Sequence, residues 1–235
     1  MFPDDCPQTI SGKSWWERSP DRVLHRGSLV FAFVPHFDQV PYAMEPVGRK
    51  DAEKHHEAVI RVSPLKTNLP LKPAELPVAA MPLHAGEVWT AYRAKKRPCL
   101  VLGTGAPAVN QDLIRGMPKT STAPTVLVAP YYGVKKTPTR AGFHPEFVER
   151  IRHCEYRQFL WDHLPFPGGE ESILRLDQLQ PIGAHHDSYV LTDYRLSSVG
   201  VEFMDGMLSW LIWGVVRDDS LVALYRTVIE ETFPP

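Results

Sequence analysis

The stretch GEVWTAYRAKKRPCLVLG, residues 86–103, decides the fold of this chain. Residues 88–92 suit a pleated, half-buried surface, and residues 99–102 form a short apolar run that is typical of a more buried strand. Together they predict two β-strands joined by a basic turn at one rim of a small sheet. The turn holds four cations in five positions, Arg93, Lys95, Lys96 and Arg97. A charge run of this kind is usually a solvated surface, so its meaning depends on the groups that lie near it.

Composition narrows the class of protein. At 235 residues the chain can hold one sizeable domain, alone or with a large appendage. Its 26 basic and 27 acidic side chains nearly cancel, so an RNA contact would need a local patch rather than a whole-protein field. The three widely spaced cysteines argue against a disulfide framework and for a reducing compartment. No segment has the pattern of a signal peptide or a membrane span, so we expect a cytoplasmic protein with no membrane partner.

An N-terminal extension, residues 1–80, is expected to precede the main domain, residues 81–235. Within the extension, residues 28–34 (SLVFAFV) predict a strand and residues 58–62 predict another. Residues 49–57 between them predict a short polar helix. A proline-rich stretch at the end of the extension predicts a linker or an extended strap.

The main domain contains an insertion over about residues 135–171. Pro145 suits the first turn of a helix, with Glu146 and Glu149 favourable near its N-terminus. Apolar residues then recur at helical spacing and predict a buried stripe. These residues are Phe147, Ile151 and Cys154.

Two amphipathic helices are predicted in the C-terminal tail, over about residues 196–232. Gly214 can end the first helix, and Asp218 or Asp219 can cap the second. Trp210 and Trp213 lie on the first helix and could serve dimerisation. The apolar stripes of both helices are expected to be core or interface.

Three ordered blocks resemble the MazF/PemK/Kid family of endoribonuclease toxins. The first is GEVW followed by Arg97-Pro98 and an aliphatic run. The second is VLVAPYYG at 126–133, followed by TRAGF at 139–143, and the third is SILRLDQLQPI at 172–182. The resemblance covers roughly residues 83–183 apart from two insertions, and the helical tail also fits. It implies a small SH3-like barrel. The fold expected for the whole chain is therefore α+β and mainly β: this barrel with a helical insertion, two C-terminal helices and an N-terminal β-containing extension.

Arg175 and Asp177 stand two apart in a stretch that reads as a strand, so their side chains should project together while Leu174 and Leu176 face the core. An ordinary surface ion pair, worth at most about 1 kcal/mol, would show the same spacing.

The resemblance implies cleavage of single-stranded RNA by attack of the ribose 2′-hydroxyl on the neighbouring phosphate. Asp177 would act as the general base, Arg97 would clamp the phosphate oxygens, and Arg175 would supply a second positive charge. The scheme requires neither a metal nor a cofactor. Further contacts to the RNA are expected from Lys95, Lys96, Tyr132 and Gln178.

Two departures from the family pattern keep a second function open. Tyr132 stands where many MazF proteins have a Thr or Ser, and Gln180 stands where an Arg commonly follows the DQ pair. The alternative is a catalytically inactive accessory or regulatory protein that binds protein partners in a prokaryotic antiviral defence, for example CRISPR-associated, or stress system. The partners implied are therefore single-stranded RNA for an enzyme, or a cognate antitoxin or other protein, with a homodimer also implied.

Histidines offer other chemistry near the same strands. His84 and His144 could supply a base near neutral pH. The paired histidines at 55–56 and 185–186 lack further ligands at regular spacing, so we expect no metal site.

Overall fold

The computed structural model describes residues 2–68, 81–84, 86–117, 120–138 and 140–233. The chain forms two units, the first from Met1–Phe33 and Lys96–Pro235 and the second from Val34–Lys95. This division differs from the expected one at residues 80 and 81, and the proline-rich linker lies mostly outside the described residues. The two divisions differ because one strand of the N-terminal extension pairs as an internal strand of the large sheet in the first unit.

The architecture is α+β and mainly β, as predicted. In chain order the strands are β1 (Trp16–Arg18), β2 (Ser28–Pro35), β3 (Tyr42–Gly48), β4 (Val59–Pro64), β5 (Trp89–Ala91), β6 (Ala94–Gly103), β7 (Thr125–Gly133), β8 (Phe159–His163), β9 (Glu171–Arg175), β10 (Gln180–Gly183) and β11 (Tyr189–Leu196). The helices are α1 (Pro7–Ile10), α2 (Gln111–Ile114), α3 (Pro145–Arg152), α4 (Ser198–Trp213) and α5 (Leu221–Thr232).

The large sheet has the strand order β1-β11-β2-β6-β7-β9-β8, and β10 also pairs with β7. It curls into a half-barrel. The curl brings side chains of the two end strands together. Trp16 Nε1 of β1 donates a hydrogen bond to Asp162 Oδ1 of β8 at 3.2 Å. Gln8 of α1 adds a second link across this seam by donating from Nε2 to the Trp161 carbonyl at 2.7 Å.

The two faces of this sheet carry separate cores, because successive side chains of a strand point to opposite sides. On the first side, here called the helical face, buried residues such as Leu100, Tyr131 and Leu174 belong to one cluster with side chains of α4 and α5. On the second side, called the α3 face, Trp161 and Ile173 pack with buried residues of α3.

Helix α3 begins at the predicted Pro145. Ile151 and Cys154 are fully buried, as the stripe predicted. The insertion is not purely helical, however, because β8 lies within it and pairs with β9 along its whole length. The prediction assigned FLWDH to the insertion without a strand. In β8 the alternation of these residues places Leu160 and Trp161 in different cores.

The two C-terminal helices are confirmed. Gly214 ends α4 in the left-handed conformation, with φ of 75°, which glycine adopts without strain. The cap of α5 is Ser220 rather than Asp218 or Asp219. Ser220 stands directly before the first helical residue, and its hydroxyl accepts from the backbone N–H of Ala223 at 3.2 Å.

The predicted hairpin over residues 86–103 is wrong in its pairing. Strand β5 pairs with β3, and Lys95, Lys96 and Arg97 lie inside strand β6 rather than in a turn. Long cationic side chains are compatible with an extended strand whose outer end faces water.

The predicted polar helix at 49–57 is also wrong, since that stretch forms turns. The Asp51 carboxylate accepts from the Glu53 N–H at 3.0 Å, a local bond that competes with helix formation.

The second unit contains a three-stranded antiparallel sheet in the order β4-β3-β5. The predicted strand at 58–62 is confirmed as β4. Within the described part of the chain, no helix has the length and apolar character needed to cross a membrane.

Candidate functional site

Arg97 and Tyr132 meet because of the register between β6 and β7. Cys99 pairs with Pro130, so the antiparallel pattern sets Arg97 opposite Tyr132 two residues further out. The Arg97 guanidinium carbon lies 3.8 Å from the centre of the Tyr132 ring. Both residues are half-buried, and the contact is a close cation–π stack on the α3 face.

Arg175 reaches the same ring from strand β9. Its guanidinium carbon lies 5.6 Å from the centre of the Tyr132 ring and 5.0 Å from the centre of the Phe159 ring. Phe159 is the register partner of Arg175 on β8. The Tyr132 ring therefore contacts two guanidiniums, and the Phe159 ring contacts one of them.

The predicted pairing of Arg175 with Asp177 is present, but its backbone differs from the prediction. Strand β9 ends at Arg175, and Leu176–Gln178 form a single 3-10 turn. Arg175 donates from Nε to Asp177 Oδ1 at 2.7 Å and from Nη2 to Oδ2 at 2.5 Å. The side chains keep 23% and 34% of their exposure, so solvent limits the stabilisation to about 1 kcal/mol or less. Leu174 and Leu176 are buried, as expected.

Gln178 holds the Tyr132 ring in place. The Tyr132 hydroxyl donates to Gln178 Oε1 at 2.5 Å. Gln180 is buried in β10, and its Nε2 has no hydrogen-bond partner among the described residues. Gln180 therefore does not present its amide at the surface of the site.

Positive charge is in excess at this cluster. Arg175 is paired with Asp177, whereas within the described ranges no carboxylate pairs with the Arg97 guanidinium and its buried Nε has no hydrogen-bond partner. A half-buried guanidinium in this state can donate to an anionic oxygen, and its planar fork suits two oxygens of one phosphate.

The neighbouring thiol does not add a nucleophile. Cys99 lies two residues from Arg97, and burial raises its pKa to about 12 although Arg97 opposes that shift. The thiol therefore stays protonated at neutral pH.

The structure brings together Arg97, Tyr132, Arg175, Asp177 and Gln178, and their roles stay predictions. Lys96 is not part of this group, because its ammonium lies 6.0 Å from the centre of the Phe31 ring and its strand position alternates with Arg97.

The other predicted polar residues are exposed. Lys95 is exposed and belongs to the second unit. His84 and His144 are exposed, the latter as the residue before α3. No group of three or more His, Cys, Asp or Glu side chains suited to a metal ion occurs in the described residues.

Two features of the sheet were not predicted. Phe159 was overlooked because it lies in the insertion. Asp162 was overlooked although it is fully buried and accepts from Trp16 Nε1, from the Tyr131 hydroxyl at 3.0 Å and from the His163 N–H at 2.8 Å. Burial raises the pKa of Asp162 to about 7, and the three hydrogen bonds only partly oppose the shift. The adjacent tyrosines in β7 were a usable signal, since Tyr131 and Tyr132 must face opposite sides.

Comparisons of the chain with family models, with curated proteins and with solved structures find no match. The resemblance to MazF/PemK/Kid toxins therefore depends on the three sequence blocks. The chemistry of the site depends on the geometry of its own side chains.

Proposed function

We propose that this chain is a metal-independent endoribonuclease of the MazF/PemK kind, which cleaves single-stranded RNA. The observation that carries the proposal is the Arg97 guanidinium, stacked on Tyr132 and without a carboxylate partner in the described chain. The Tyr132 ring also contacts Arg175, whose pair with Asp177 retains solvent contact. A cation of this kind next to a carboxylate is what phosphodiester cleavage by an internal hydroxyl requires.

Binding would begin with the scissile phosphate on Arg97. Its two non-bridging oxygens would accept from the Arg97 fork, while the Tyr132 ring fixes the plane of the guanidinium. The same phosphate would compete with Asp177 for the Arg175 guanidinium. Because the resting pair is solvent-screened, its opening costs little free energy.

The chemical step would use the released carboxylate. Asp177 accepts the proton of the ribose 2′-hydroxyl, whose oxygen attacks the phosphorus, and the bond from phosphorus to the 5′-oxygen breaks. The leaving 5′-oxygen takes a proton from water, since arginine is a poor proton donor. The products are a 2′,3′-cyclic phosphate and a 5′-hydroxyl end. Arg97 and Arg175 stabilise the charge that builds on the phosphate oxygens.

The finer fold assignment, a small SH3-like barrel, belongs to the same proposal. Its support is the curled sheet, whose end strands are linked by the Trp16–Asp162 hydrogen bond. Further support comes from the C-terminal helices, which pack in one core with the helical face.

The test is expression of the wild-type chain and of Arg97→Ala in bacteria, with RNA fragment ends mapped by sequencing. We expect new 5′-hydroxyl ends with the wild type and a loss of about 100-fold or more with Arg97→Ala. Arg217→Ala is the matched control, because it removes the same charge from an exposed Arg–Asp pair outside the site. It should cleave like the wild type.

Two results would contradict the proposal in different ways. Intact RNA with the wild type would remove the endoribonuclease activity. Equal cleavage by the wild type and Arg97→Ala would keep the activity and remove the site assignment. Purified protein assayed with a chelator checks that cleavage needs no metal.

The second candidate is the inactive accessory or regulatory protein that binds protein partners, for example a cognate antitoxin. An exposed apolar group at the end of α4 favours it, with Trp213 at 76% exposure and Ile212 and Val215 also exposed. Intact RNA together with a stable complex that Trp213→Ala disrupts would support this candidate.

A further inference from the structure

The three-stranded sheet of the second unit exposes its apolar face. The register sets Met44 opposite both Val62 and Trp89, and Tyr42 opposite Ala91, so these side chains share one face. Tyr42, Val62 and Trp89 are exposed to 48%, 57% and 42%. The opposite face, called the polar face, carries the ion pair between Glu45 and Arg61. We call the apolar side the aromatic face.

A cavity of about 210 Å³ adjoins the aromatic face. Its lining includes the rings of Tyr42 and Tyr92 together with His36 and Arg93. The Tyr92 ring also contacts exposed Phe37 edge-to-face, with centroids 5.2 Å apart. Rings and cations are thus interleaved at one end of this small sheet.

One cation next to the aromatic face lacks a carboxylate partner in the described residues. Glu45 neutralises Arg61 on the polar face. Arg93 is exposed in the cavity, and no carboxylate of the described residues pairs with it. The cavity that adjoins the aromatic face therefore presents one unpaired guanidinium, which can bind an anionic group.

We propose that the aromatic face of residues 34–95 binds single-stranded RNA, with bases stacked on Trp89 and Tyr42 and a phosphate on Arg93. The choice of RNA rests on the proposed function, while none of the residues of the aromatic face is a residue of the Arg97 cluster. Aromatic side chains on an open sheet face, with cations at the border, are a recurrent platform for unpaired bases. A protein partner would pack on the aromatic area equally well, but such packing would give no role to the unpaired Arg93 guanidinium.

The experiment measures binding of a fluorescein-labelled single-stranded RNA of mixed sequence by fluorescence anisotropy. All variants are full-length and carry Arg97→Ala, so that the RNA stays intact during the titration. We expect Trp89→Ala and Tyr42→Ala each to weaken binding about tenfold, as the loss of one stacked base predicts. Trp213→Ala is the matched control, because it removes an exposed tryptophan of the first unit. It should leave the affinity for RNA unchanged.

Salt dependence tests the phosphate contact. We expect Arg93→Ala to reduce the slope of log affinity against log salt by about 0.7, the value for one phosphate contact to a single strand. Arg61→Ala removes the same charge from the polar face and should leave the slope unchanged. Thermal melting of each variant checks that these exposed substitutions leave the fold intact.

The outcomes separate this inference from the proposed function. Weaker binding by Trp89→Ala and Tyr42→Ala supports the aromatic face as an RNA surface even if the wild type does not cleave RNA. Unchanged RNA affinity in both variants overturns the inference even if the wild type does cleave. Unchanged affinity together with a shift from dimer to monomer in sedimentation would instead assign this face to self-association.

Discussion

Tyr131 and Tyr132 are neighbours in strand β7, yet they serve opposite faces of the same sheet. The Tyr131 hydroxyl donates to Asp162 in the buried helical face, where no water reaches either group. The Tyr132 ring stacks on Arg97 on the α3 face, and the Tyr132 hydroxyl donates to Gln178. One strand thus separates a buried polar network from a partly open charged cluster.

The acids of these two groups, Asp162 and Asp177, differ in their surroundings. Asp162 has three donors but no cation, so burial dominates and raises the pKa of its carboxyl to about 7. Asp177 has a bidentate guanidinium partner and keeps contact with water. A carboxylate that must be released to a ligand belongs in the second environment, because breaking its pair there costs little. The first environment suits a group that fixes structure.

The largest expected effect is the pH dependence of stability that Asp162 causes. Its carboxyl holds a proton up to about pH 7 when folded and loses it near pH 4 when unfolded, so the free energy of unfolding falls as pH rises between these values. The fall from this group is at most about 4 kcal/mol. We expect Asp162→Asn to flatten the decrease, measured by urea denaturation from about pH 4 to pH 8.

The comparison with the wild type at each pH is the control for this prediction. Asn cannot lose a proton, so the variant should lose stability relative to the wild type mainly at low pH, where the acid is neutral in both states. Parallel curves for the two proteins would mean that Asp162 does not titrate differently in the folded chain.

The next effect contrasts the two tyrosines directly. Tyr131→Phe removes a buried donor to Asp162 and should lower the free energy of unfolding by about 1–3 kcal/mol. Tyr132→Phe keeps the ring that stacks on Arg97 and removes one hydrogen bond to the half-buried Gln178, so its cost should stay at or below about 1 kcal/mol. Both are measured by urea denaturation at neutral pH. Equal losses would show that the two faces do not differ in burial as described.

Local signals in the sequence were sufficient for the elements that depend on neighbouring residues. The apolar run of β2, the proline that begins α3 and the glycine that ends α4 were all predicted. The Arg175–Asp177 pair was also predicted, since a spacing of two keeps side chains close in a strand and in the turn that replaces it.

Features that depend on distant pairing were not predicted. Strand β5 was assigned to β6 because they are adjacent in sequence, whereas β3 is its partner. Asp162 was missed because its donors come from β1 and β7, and nothing within β8 indicates them. The stack of Arg97 on Tyr132 likewise depends on the register of two strands that lie far apart in the sequence.

A small effect on stability is also expected for Asp177→Asn, which tests the partly open charged cluster. The pair with Arg175 is solvent-screened, so its loss should change the free energy of unfolding by less than about 1 kcal/mol. Cleavage should nevertheless fall, because the amide cannot accept the 2′-hydroxyl proton. Arg217 and Asp219 repeat the same two-residue spacing and bidentate geometry on the surface. Asp219→Asn should therefore leave cleavage unchanged, and equal cleavage by Asp177→Asn would show that the acid beside Arg175 is only an ion-pair partner.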